Sequence, residues 1–478
     1  MRLVTAARQH GLSFTVADIF NRPLLGDLAS VARPVMTTKN DFTPRPFSLL
    51  DHNSQTFIRT KLAHTTSVSD VFPVTRWQST CIDLALASPP RLLDYFFTDL
   101  PSSISIEEII RGCSDLWQNI DILRTIFIPW RDQYLQLVPE KSNLPLEYHS
   151  ADEENIEYLT NKICKEEIQQ PLVLVAPFTR FYILSGSNGA MRLIIRLSHA
   201  QYDGTSLLNF MQCLRASFNQ EQLPEKIPFS AFIQHTKNNQ LAAIKYWRVL
   251  LEGSSFTSSA ADRIISNCSK SLVPIVVERL VELLPSNDRF TPATTFTAAC
   301  ACFLSQITGS SDVTFGRLVS GRAMLPVQLR NTVGPCVNII PVRVRHTQSL
   351  EQTRQSVHEQ LIDSLPFDTL GAKEVVENCT SWPRETRSFG LVTSYQDLGD
   401  AEEEIQGVPC RLRCLEEIRP GTRMMEDEAV MIFAKPMGDY LQIVVNADGR
   451  LYTEQTVRRW CDTLADSIEN FRVLEPSH

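Results

Sequence analysis

No apolar run in these 478 residues approaches the length of about twenty positions that a membrane-spanning helix needs. Met1 to Phe14 also lacks the unbroken apolar core of a signal peptide, because Arg2, Arg8 and His10 interrupt it. Lysine and arginine form no cluster, and the formal net charge of −8 argues against general nucleic-acid binding. No glycine-rich nucleotide loop and no short-period repeat is evident. Twelve cysteines are present, but neither Cys300-Ala301-Cys302 nor the Cys410/Cys414 pair is joined by a second Cys or His pair, so no metal site is expected. The cysteines are expected as small buried apolar residues of a reducing compartment. What remains is a cytoplasmic enzyme acting on a small molecule or with a protein partner, without nucleic acid or membrane.

Hydrophobic content of 43% and charged content of 21% describe a globular chain. Its length calls for two large lobes. Residues 1–32 carry short helical patterns, including Pro23 to Val31, and are too few to bury a core alone. Residues 33–46 hold three prolines and read as a linker. Helices are expected over Phe47–Thr66, Ile104–Asn119 and Thr294–Ile307. Strands are expected at Ile126–Ile128 and Tyr134–Val138, joined by a turn at Arg131-Asp132, and at Phe178–Leu184 and Met191–Leu197. Further strands fall at Val313–Gly316, Val337–Val344 and Leu441–Asn446. With a second half beginning near Pro224, the reading is an α/β (α+β) protein of two similar lobes, residues 47–222 and 223–478.

The densest chemistry lies in Leu197-Ser198-His199-Ala200-Gln201-Tyr202-Asp203-Gly204-Thr205-Ser206. It joins the strand at Met191–Leu197 to a helix beginning near Leu207. A neutral imidazole at a strand end can accept a proton near pH 7. Asp203 is too far along the loop to be assumed its partner. A carboxylate there would be buried and need a cation, most plausibly an arginine from elsewhere. Gly204 allows close backbone approach, so its N–H could face a developing oxyanion. The plainer alternative is a histidine that caps a strand and an aspartate that N-caps the helix.

Ser198-His199-Ala200-Gln201-Tyr202-Asp203-Gly204 resembles the active-site motif of nonribosomal peptide synthetase condensation domains, which have a chloramphenicol-acetyltransferase-like fold. Serine stands where that motif has its first histidine, a form similar to the terminal, macrocyclising condensation-like domains of fungal synthetases. Asp70-Val71-Phe72-Pro73-Val74-Thr75-Arg76-Trp77-Gln78 and Ile122-Leu123-Arg124-Thr125-Ile126-Phe127 support the resemblance. So do Phe315-Gly316-Arg317-Leu318-Val319-Ser320-Gly321-Arg322, the segment from Val333 to Arg343, Leu365-Pro366-Phe367-Asp368 and Tyr395-Gln396-Asp397. Residues 1–32 are similar to the back half of a peptidyl carrier domain without its phosphopantetheine-bearing serine.

The resemblance implies two lobes in a V-shaped pseudo-dimer with a central tunnel and His199 at its middle. The chain would bind no cofactor itself. Its peptidyl thioester would arrive on the 4′-phosphopantetheine arm of an upstream carrier domain in the same synthetase. His199 would take the proton of an attacking amine, with Gly204 offering its N–H to the oxyanion. Asp203 would pair with Arg322, Arg317 being the rival partner. Ser198, Asn338 and Gln396 are candidates for the tunnel lining, whereas Trp77 and Trp382 are expected in the core. Rival readings are intermolecular condensation, acyl transfer from an acyl-CoA, an epimerisation domain and a non-catalytic carrier-docking domain.

Overall fold

The computed structural model describes residues 43–473 except 63–66, 89, 152–154, 187–188, 259–273, 284–288, 346–348, 384–385, 387–388, 398, 400 and 416–429. Before residue 43 it describes positions 3, 7, 10–14, 18–19, 22 and 24–34. Thirteen of the 32 residues of the carrier-like segment, and residues 35 to 42 of the linker, therefore lie outside the described residues.

Two large mixed sheets organise the fold. The first has five strands in the order Arg413–Cys414, Leu93–Leu100, Met191–Ser198, Arg180–Gly186, Leu146–Ala151. All its pairings are antiparallel except the last, which is parallel. Side chains alternate across its pleat, so each strand feeds two cores. Phe96, Leu193, Ile195 and Leu197 face the helices Ile106–Asn119 and Gly204–Phe218. Tyr95, Phe97 and Ile194 face the helix Ile156–Glu167. Because both faces are covered, the strand Met191–Ser198 reads as a continuous buried run.

The second sheet has six strands in the order Ile275–Glu282, Tyr440–Ala447, Val430–Met437, Val392–Tyr395, Asp312–Val319, Asn338–Arg345. The helix Pro292–Thr308 packs on it, with Ala298, Ala299, Ala301 and its cysteines and phenylalanines buried, Pro292 at the start and Gly309 in the left-handed region at the end. Eleven cysteines among the described residues are free and ten of these are buried, the behaviour of small apolar side chains. No helix among the described residues is long and apolar enough to cross a membrane.

The expected hairpin is present as Ile126–Trp130 and Gln133–Pro139, with Arg131 at φ 55° in the turn. The helix expected over Phe47–Thr66 starts later, at His52, and is described to Leu62, residues 63–66 lying outside the described residues; Phe47 takes a positive φ in the turn before it. Leu25–Val31 forms the helix expected near residue 23, and Leu28 packs with Phe14 and with the distant Leu365.

Packing crosses the expected division at 222/223. Phe229, Phe232, Leu325, Cys336, Ile405, Cys410 and Leu412 all enter the core of the first sheet. Arg413–Cys414 pairs with Phe96 and Phe97 as that sheet's edge strand. The second half thus clasps the first through residues 401–415, and the two do not meet as separate bodies.

Candidate active site

Backbone pairing places the histidine. Leu93 and Ser198 are register partners, and the His199 N–H donates to the Leu92 carbonyl (2.9 Å) just as the chain leaves the sheet. Ser198 therefore points inward and is fully buried, its Oγ accepting the Ala200 N–H (3.2 Å). The expectation that it lines a tunnel is corrected by the pleat, which puts neighbours on opposite faces. Gln201 pins the turn: its Nε2 donates to the Ile122 and Leu123 carbonyls (3.1 and 3.3 Å) and to Thr179 Oγ1 (2.9 Å). Gln78, buried in the helix Arg76–Ala85, donates to the Ala200 carbonyl (3.0 Å). These four bonds fix the loop against three separate segments.

Asp203 does both things proposed for it. As N-cap of Gly204–Phe218, its Oδ1 accepts the Ser206 N–H (2.9 Å) in a capping box. The same carboxylate takes Arg322 Nη2 at 3.0 and 2.9 Å, and its Oδ2 accepts the Cys336 N–H (3.0 Å). One guanidinium nitrogen spans both oxygens, while Nη1 donates to the Arg330 and Thr332 carbonyls (3.0 and 2.7 Å). Gly321 makes this approach possible, because at φ 63° a Cβ would lie 2.0 Å from the Cys336 carbonyl oxygen. The rival partner, Arg317, interacts with Asp368. Desolvation holds Arg317 down to about 10 and pushes Asp368 up to about 7.

His199 stands on the wall of a cavity of about 420 Å³. The cavity lies between the two large sheets, lined by Leu92, Asp94 and Tyr202 from one side and Leu318, Tyr395, Gln396 and Met431 from the other. The histidine side chain is 29% exposed, its Nε2 lies 4.0 Å from Asp94 Oδ2, and its ring stacks on Tyr202 at 4.3 Å. The Tyr202 hydroxyl donates to the same Asp94 oxygen. Gly204 lines the cavity as the first residue of its helix, where N–H groups have no intrahelical acceptor. No group of three or more potential metal ligands occurs among the described residues.

The structure thus brings His199, Asp203, Gly204 and Gln396 to one cavity and leaves two expected lining residues elsewhere. Asn338 lines a neighbouring cavity of about 240 Å³, its Nδ2 donating to the Asp368 carbonyl (3.2 Å). Trp77, expected in the core, lines both cavities, with its ring edge-on to His199 at 6.5 Å. Trp382 is core as expected, hydrogen-bonded to Ser254. Asp94 was missed because one acid in Leu-Leu-Asp-Tyr-Phe-Phe gives no signal until its strand is paired with the one bearing His199.

The profile of the condensation domain matches residues 96–474. The chain belongs to the condensation-domain family. Nonribosomal peptide synthetase ungA′ of Aspergillus campestris is 36% identical over 98% of this chain, and ungA of Aspergillus violaceofuscus 35% over 98%. The condensation domain spans about 5% of the length of either relative. The crystal structure of holo T3CT superposes with a TM-score of 0.77 at 21% identity, covering 90% of this chain and 99% of that one. That likeness shows the shared mixed α/β fold. The condensation domain is an acyltransferase-type catalytic unit of a nonribosomal peptide synthetase.

Proposed function

We propose that this condensation domain releases a peptidyl thioester, delivered on the phosphopantetheine arm of an upstream carrier domain, by attack of the peptide's own distant amine. The product is a macrocyclic peptide. The observation that carries the reading is His199, part-exposed on the wall of a cavity between the two sheets, in a loop locked by Gln201 and by Asp203–Arg322. On this reading the cavity is part of the tunnel expected between V-shaped lobes, and the position of His199 on its wall supports that. The Ser-His-x-x-x-Asp-Gly form favours the terminal, cyclising type over intermolecular condensation.

In the step, the amine nitrogen bonds to the thioester carbonyl carbon and a proton passes from nitrogen to His199 Nε2. The Gly204 N–H faces the tetrahedral oxyanion. Collapse breaks the C–S bond, and His199 returns its proton to the departing thiolate. His199 is thus restored. Confinement makes the attack effectively intramolecular and limits competing water. Asp203 takes no part in proton transfer, because its oxygens are engaged by Arg322, Ser206 and Cys336.

Loading a peptide as a thioester on a separate carrier and adding the domain should release a product lighter than the free acid by one water, read by mass spectrometry. Release of the acid alone, or no release, contradicts the reading.

A further inference from the structure

We propose that the face of the second sheet running from Phe433 to its edge strand is an apolar lane for the middle of the peptidyl chain. The domain then favours peptides whose central residues carry aliphatic or aromatic side chains. The inference rests on the condensation reading but concerns a surface beyond the histidine motif and its cavity.

Strand register builds the lane. Paired residues of neighbouring strands share a face, and residues next in sequence take the opposite one. Ile432, Val445 and Val277 are register partners and pack toward the helices Pro292–Thr308 and Glu454–Val473. The alternate rows, Met431–Asn446–Val276 and Phe433–Val444–Glu278, therefore face away from those helices. Met431 and Phe433 line the His199 cavity. The same face continues through Val444 to Val276 and Leu280 on the edge strand, which are 56% and 60% exposed. A lone exposed apolar side chain is ordinary. Here two flank Glu278 on one strand and connect to the cavity wall through Val444. Glu278 itself is engaged, accepting from Gln442 Nε2 (2.9 Å).

The reaction names the occupant. Ring closure brings the thioester carbonyl and the distant amine together at His199, so the middle of the peptide must form a loop between them. A cavity of about 420 Å³ is of the size that encloses one drug-sized ligand, which leaves the loop of a longer peptide outside it. Phe433 is the point at which the cavity wall passes into the open face. Neighbouring strands lie about 4.8 Å apart, so the edge strand is roughly 10 Å from Phe433. About three extended residues cover that span. The central residues of a six-residue chain can thus reach Val276 and Leu280. A leucine laid there removes apolar surface of both peptide and protein from water, whereas an alanine removes much less.

The test uses hexa-alanine pantetheine amide, in which N–H replaces the thioester sulfur so that nothing can react. Calorimetry compares it with a counterpart carrying leucine at its third and fourth positions. The intact domain should bind the leucine peptide about tenfold more tightly, and Val276→Asp or Leu280→Asp should bring the two peptides within about twofold. Val249→Asp, at a 70% exposed position on the helix Phe229–Leu251, should keep the tenfold preference. Equal binding of the two peptides by the intact domain overturns the proposal without recourse to any variant. A preference that survives both lane variants, or that Val249→Asp also abolishes, overturns it as well. Sedimentation covers the rival occupant: a dimer that Leu280→Asp dissolves would give the face to a second copy of the chain and overturn the lane. Because binding is read without turnover, a leucine preference in a domain that never closes a ring would sink the macrocyclisation reading while leaving the lane standing.

Discussion

Asp203→Ala should unfold at markedly lower temperature and denaturant concentration, losing about 3–5 kcal/mol. The loss has two sources. Arg322, 2% exposed, keeps its charge in the interior with its main acceptor gone. The helix Gly204–Phe218 also loses its N-cap, worth about 1 kcal/mol. Against a total stability of about 5–15 kcal/mol, this is a large fraction. Catalysis should fall too, since the same residue holds Gly204 at the cavity wall. Asp203→Asn retains a cap acceptor and should lose less. Combining Asp203→Ala with Arg322→Ala should cost less than the sum of the two single changes, because the buried charge is removed along with its partner. Additive losses would show that the pair does not act as a unit.

His199→Ala should show the opposite division between stability and rate. Its ring is part-exposed and packs on Tyr202, so stability should change by less than about 1 kcal/mol. Loss of the general base should slow thioester release by about 10²–10⁴-fold. Residual release would come from confinement and the Gly204 N–H. The measurement is single-turnover release from the carrier, followed for both proteins beside their melting curves. A folded His199→Ala domain that releases product at the parental rate would remove His199 from the chemistry.

Much of this was legible in the chain. Met191–Leu197 reads as a buried strand because both faces of its sheet are covered, and the break after it is marked by Asp203-Gly204. The Asp203–Arg322 pair could be anticipated from the demand that a buried carboxylate places on a cation, though choosing Arg322 over Arg317 rested on family resemblance. Capping and ion pairing were weighed as alternatives, yet one carboxylate has enough lone pairs for both. The residues that escaped are those whose role is set by non-local register. Asp94 meets His199 only because Leu93 pairs with Ser198 across a sheet. Trp77 reads as apolar and becomes a cavity wall only where two cavities meet beside it. Ser198 was misplaced for a local reason, the alternation of adjacent side chains. The return of residues 401–415 to the first sheet is a long-range pairing that no local pattern announces.

The most direct test is a crystal structure of the domain with the hexa-alanine pantetheine amide bound. The expected complex places the amide carbonyl in the cavity beside His199, its oxygen toward the Gly204 N–H and the peptide's terminal nitrogen about 3 Å from His199 Nε2. A carbonyl seated in the cavity lined by Asn338, with the terminal nitrogen remote from His199, would contradict the assignment of the active site.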